Sequence, residues 1–239
     1  LSEKEQGKVK DELRTLIVAP ASLVYNWKKE VERFTPQLSV CVMAGTAHER
    51  KELIKNQTSN VDVWITSYDL LKRDIELYQD IIFANEIIDE AQFIKNANTQ
   101  AAKAVKEIQT GFRLALTGTP VENRLSELWS IFDYLMPGFL YSYKKFREEV
   151  EIPVVQNSDE DAMKRLQKMI RPFVLRRLKK EVLTDLPDKL EENMFAQLTG
   201  EQQKLYDAHV KRMMLMLDKQ SEEEFKSSKI TILAELTRL

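Results

Sequence analysis

A single cysteine, two histidines and no long apolar run narrow what this chain of 239 residues can be. With only Cys41 present, an internal disulfide and a multi-cysteine zinc site are excluded, and a reducing interior fits. Cys41 lies within Leu38-Ser39-Val40-Cys41-Val42-Met43, which reads as a buried strand rather than a nucleophile's setting. His48 and His209 stand apart from any ligating neighbour, so surface or packing roles are expected of them. No apolar run approaches the roughly 18–20 residues of a membrane span. The opening Leu1-Ser2-Glu3-Lys4-Glu5 is polar, unlike a signal peptide. A membrane partner is therefore not expected, and the cytoplasm is the default location, with nucleoid or nucleus following from the organism. There is no internal repeat and no low-complexity tract. Net charge is only −2, so any nucleic-acid surface must be a local basic patch on a balanced molecule.

What is present reads as globular: 43% hydrophobic and 31% charged residues, in a chain long enough to bury a real core. Thr15 to Ala19, Leu38 to Met43, Val61 to Thr66, the run ending at Ile88, and Phe112 to Thr117 are short β-branched or apolar runs. Segments of helical period separate them. Val24, Trp27, Val31 and Phe34 mark one helix face, with Ser22 as its expected cap and Pro36 as its end. Leu71, Ile75 and Tyr78 mark another; Ala101, Val105 and Ile108 a third, with Gly111 as its expected stop. Strands alternating with helices imply an α/β fold with a mostly parallel sheet flanked by helices. After Pro120 the pattern becomes helical, beginning with Leu125, Leu128, Trp129, Phe132 and Leu135. Three regions are expected: an α/β domain over 1–136, a helical protrusion over 137–185, and a crossing segment with a long helix over 186–239. Thr199 with Gln202 forms a capping-box pattern for that helix.

The stretch with most chemistry is Ile87-Ile88-Asp89-Glu90-Ala91-Gln92, where an apolar run ends in adjacent carboxylates. Ligands of open α/β sheets bind beyond the carboxyl ends of strands. Phosphoryl transfer needs a carboxylate near a magnesium ion and a group that orients the attacking water, and two adjacent acids can divide those roles. Two acids opening a solvated loop are the plainer alternative. Thr117-Gly118-Thr119-Pro120 ends another strand, and a glycine between hydroxyls lets backbone approach a ligand closely. Ser22, at the start of a helix, and Thr66-Ser67-Tyr68, at a third strand end, offer groups able to meet phosphate oxygens. Trp27 reads as core from its spacing. Arg176-Arg177-Leu178-Lys179-Lys180 is basic and suits either solvent or phosphates.

Taken in order, these stretches resemble the Swi/Snf-type ATPases of helicase superfamily two. Leu16-Ile17-Val18-Ala19-Pro20-Ala21-Ser22-Leu23 is similar to motif Ia, and Ile65-Thr66-Ser67-Tyr68-Asp69 to a further DNA-facing motif. Asp89-Glu90-Ala91-Gln92 resembles the Walker B box in a bacterial-looking form. Leu116-Thr117-Gly118-Thr119-Pro120, with Glu122-Asn123-Arg124-Leu125 and Glu127-Leu128-Trp129, resembles motif III and its extension. Arg171-Pro172-Phe173-Val174-Leu175-Arg176-Arg177 and Leu186-Pro187 continue the likeness.

The resemblance implies a RecA-like first lobe, a helical protrusion and the start of a second lobe. It further implies ATP and Mg2+ as ligands, with Asp89 organising the metal and Glu90 polarising the hydrolytic water. Gln92 would join the nucleotide site to Thr117 and Thr119. Ser22, Asn26, Thr66, Ser67, Tyr68, Thr119 and Asn123 would lie toward double-stranded DNA, bare or within a protein–DNA complex. A strand-separating helicase and a non-catalytic DNA-binding scaffold are the rival expectations. No Gly-Lys-Ser/Thr string of a phosphate loop occurs in the sequence. By the family's order it would sit just before residue 1, and the second lobe's arginines would follow in cis. The chain is therefore expected to be a lobe-one fragment, inactive by itself.

Overall fold

The computed structural model describes residues 14–56, 61–118, 124–177, 192–195, 197–218, 232–234 and 236–237. They belong to two compact units, Leu1–Leu175 and Arg176–Leu239. In the first unit, β1 (Thr15–Ala19), β2 (Val40–Val42), β3 (Val63–Ser67), β4 (Ile82–Ile88) and β5 (Gln109–Ala115) form one sheet. Its five strands lie in the order β2-β3-β1-β4-β5, and every pairing is parallel. Ile17 sits opposite Ile65 on one side and Ile87 on the other.

Alternation along these strands feeds two cores. Ile17, Val63 and Ile65 pack with Val24, Trp27 and Val31 of α1 (Val24–Phe34). Leu16, Val18, Trp64 and Ile88 turn to the opposite face. There they meet Ile54 of α2 (Ala47–Asn56), Leu71 of α3 (Tyr68–Asp74) and Val105 of α4 (Gln100–Glu107). Among the described residues, α1 thus covers one face, and α2, α3 and α4, with part of a later helix, cover the other. The chain leaves β1 toward β2 but leaves β4 toward β5. Neighbouring strands with connections running in opposite directions make a switch point, here at the carboxyl ends of β1 and β4.

Helix α5 (Leu125–Leu135) is shared between cores. Ile131 and Tyr134 join the sheet's core, whereas Leu128 and Phe132 pack with Leu140 of the next turn and with Phe146 and Leu166 of the helices that follow. Those are α6 (Tyr143–Phe146), a π turn (Arg147–Glu151), α7 (Ile152–Asn157) and α8 (Glu160–Ile170). Asp159 caps α8 by accepting from the Asp161 and Ala162 amides at 2.9 Å. In the second unit, α9 (Gly200–Asp218) begins at Thr199, whose amide and hydroxyl both donate to Gln202 Oε1 at 3.1 and 2.9 Å. The expected Leu186 crossing lies outside the described residues.

Three local expectations are corrected. Ser22 does not cap α1: Leu23 occupies the cap position and bonds back to the Pro20 carbonyl, and Ser22 is exposed in the turn. Phe34 is 67% exposed, so the buried face of α1 ends a turn earlier. Gly111 is not a helix stop but lies inside β5, where a Cβ would stand 3.3 Å from the Ala84 carbonyl. Helix α4 ends at Glu107 because Ile108 already has extended backbone.

Candidate nucleotide site

The Asp89 turn is fixed from several elements. Its amide donates to the Val18 carbonyl at 2.8 Å, tying the end of β4 to β1. The Ala91 amide donates to the Leu116 carbonyl at 2.9 Å, tying the turn to the segment after β5. From beneath, the Tyr68 hydroxyl donates to the Asp89 carbonyl at 2.7 Å, and the Tyr68 ring stacks on Phe93 at 5.1 Å. Burial, with the Asp89 charge adding to it, holds the Tyr68 phenol well above the ordinary tyrosine range, so it stays a donor.

Within this frame the side chains are ordered. Each Asp89 oxygen accepts one N–H at 2.8 Å: Oδ1 from the Glu90 amide, Oδ2 from the Trp27 indole. Glu90 has left-handed backbone, φ 53° and ψ 56°, an unusual conformation for a residue with a side chain. Its Oε2 accepts from Gln92 Nε2, and Gln92 Oε1 accepts from Thr117 Oγ1 at 3.1 Å. Glu90, Gln92 and Thr117 therefore form one hydrogen-bonded chain across two strand ends. All of these residues are half-buried, open enough to meet a ligand.

The other anticipated residues fall differently. Ser22 and Asn26 are exposed at the start of α1. Thr66, Ser67 and Tyr68 are only 1%, 3% and 4% exposed, so their side chains are enclosed here rather than presented at the surface. Ser67 instead caps α3 by accepting from the Leu70 amide, and Tyr68 serves the Asp89 turn. Thr119 and Asn123 lie outside the described residues. Sequence reasoning missed Trp27 as a partner of Asp89, because its helical spacing marks only the buried ring. The signal available was the indole N–H, a polar handle that a buried tryptophan usually satisfies.

Two carboxylates suit magnesium, which takes one or two of them together with substrate phosphates and water. Each Asp89 oxygen keeps one lone-pair direction beyond the bond it already accepts. Among the described residues no group of three or more His, Cys, Asp or Glu stands ready to cage a metal.

The parallel five-stranded sheet flanked by helices has the RecA-like fold, and the comparisons give its family. Residues 2–239 match the SNF2-related domain family, and the chain belongs to it. It is 41% identical over 213 residues to the putative ATP-dependent helicase/translocase YwqA of Bacillus subtilis, covering 88% of this chain and 23% of that protein. It is 37% identical over 231 residues to the TATA-binding protein-associated factor MOT1 of Saccharomyces cerevisiae, covering 92% of this chain and 12% of the other. Among solved structures, the Sulfolobus solfataricus SWI2/SNF2 ATPase core in complex with dsDNA superposes with a TM-score of 0.67 at 34% identity. That match takes in 99% of this chain and 49% of the archaeal core. The chain thus spans under a quarter of these two curated relatives and about half of the solved core.

Proposed function

We propose that this chain is the Walker B side of an ATP-driven translocase acting on double-stranded DNA. The observation that carries the reading is the Thr117–Gln92–Glu90 chain beside Asp89 at the sheet's switch point. Asp89 serves as the magnesium ligand, and Glu90 orients the water that attacks the γ-phosphate. Gln92 holds one Glu90 oxygen, which leaves the other for that water. Magnesium, when bound, offsets charge on the phosphate oxygens. The archaeal core described as bound to dsDNA supports a duplex partner, and of the residues anticipated to face DNA, Ser22 and Asn26 are described and exposed.

With no Gly-Lys-Ser/Thr string in the 239 residues, nothing here supplies a phosphate-cradling loop and its lysine. An arginine finger from a second lobe is worth about 10³–10⁵ in rate. These residues alone are therefore inactive in this reading. The test is phosphate release with duplex DNA, single strands and RNA, for the full-length protein and for the 239 residues separately. Duplex-stimulated turnover in the full-length protein alone is expected. Equal turnover by both, or no duplex preference, overturns the reading.

A further inference from the structure

Of the two hydrogen bonds on the Asp89 carboxylate, one comes from the neighbouring Glu90 amide and moves with the turn itself. The other comes from Trp27, 62 residues away in sequence and on a different element. A carboxylate turns readily about its last side-chain bond, and a donor on each oxygen sets its plane. Trp27 is well placed to do this because its ring is gripped by the core on the α1 face of the sheet, with Ile17, Val24 and Ile65. It stands in the first turn of α1, immediately after exposed Asn26. One short rigid segment therefore presents Asn26 to the surface and an indole N–H to Asp89.

We propose that Trp27 is a positioning residue that holds Asp89 in the orientation a divalent cation requires. Through it, α1 couples duplex contact at the Ser22–Asn26 surface to cation affinity at Asp89. The inference rests on the reading of Asp89 as a cation ligand. Loss of an outer partner of this kind lowers metal affinity by about 10–100-fold. DNA held against α1 favours the helix position that keeps the indole on Asp89, so cation and duplex tighten one another reciprocally.

The experiment uses the full-length protein and binding of Mn2+, followed by electron paramagnetic resonance in the presence of ADP, with and without duplex DNA. Trp27→Phe keeps a ring and removes the N–H. Replacing Trp27 with benzothienylalanine keeps the shape as well, so the test survives if the phenylalanine variant folds poorly. The expected result is Mn2+ affinity about tenfold weaker in both variants. Duplex DNA should tighten Mn2+ in the unmodified protein and no longer do so in the variants. Unchanged Mn2+ affinity in the sulfur isostere overturns the positioning role. Weakened Mn2+ with intact DNA coupling overturns the link through α1. Asp89→Asn separates this from the parent reading: if it leaves Mn2+ binding intact, the assignment of Asp89 itself has failed.

Discussion

Glu86 and Asp89 are near neighbours along β4 and its exit, yet they live in opposite surroundings. Glu86 is fully buried, faces α4 and α5, and meets Arg113 Nε at 3.3 Å. That guanidinium also donates to the carbonyls of Tyr134, Lys106 and Ile108 at 3.0, 3.1 and 3.1 Å. Burial raises the Glu86 carboxyl from 4.5 to about 8, outweighing the downward pull of Arg113. Asp89 is half-buried, and among the described residues its carboxylate accepts two N–H groups, at a strand end rather than between layers. The difference teaches that an acid enclosed by the fold serves cohesion. An acid left half-open at a strand end keeps capacity for a ligand.

The strongest way to break this comparison is to alter a carboxylate at the strand end and the arginine that holds the enclosed one. In the full-length protein, Glu90→Gln is expected to lower turnover about 10²–10⁴-fold while nucleotide binding persists, measured by steady-state hydrolysis beside equilibrium binding. A variant that keeps its rate rejects the division between the strand end and the interior. Arg113→Met attacks the other side. It leaves three carbonyls without that donor and should lower stability by at least about 3 kcal/mol, read from denaturant unfolding. It should not alter metal affinity at Asp89.

A pH series sharpens the contrast further. Glu86 keeps its proton in the folded state longer than in the unfolded chain. Its contribution is full below about 4.5 and is lost as pH rises through about 8. Melting temperature should fall across that window, and Glu86→Gln should flatten that part of the profile. A profile unaltered by Glu86→Gln removes the case for an enclosed acid. The smallest effect is expected at the relay: Gln92→Ala should cost about 1 kcal/mol, roughly fivefold in turnover, with little change in melting temperature. A large stability loss there would make Gln92 part of the cohesive set instead.

The strands and the two-faced sheet were legible because apolar alternation and helical period report burial directly. Leu125–Leu135 emerged as a helix for the same reason. The paired acids were legible by their place after an apolar run. Periodicity said nothing of which polar atom each side chain spends, so Trp27 read as core alone and Glu86 did not stand out at all. Ser67 and Tyr68 looked available because hydroxyls at a strand end suit phosphate, whereas the fold uses one as a cap and the other as a prop for the Asp89 carbonyl. Ser22 misled because capping depends on the residue adjoining the first helical turn, and a short turn placed Leu23 there.

Helix α5 has its own consequence for how load travels through the molecule. Apolar side chains on both flanks are buried, so α5 cannot roll without opening the sheet's core or the core it shares with the helices that follow. Its Ser130 hydroxyl is fastened to the Ile94 carbonyl at 2.6 Å, at the end of the short turn that carries Gln92. A load on α6–α8 therefore meets no free hinge at α5. It arrives, through one stiff rod and one bolt, at the short turn bearing Gln92.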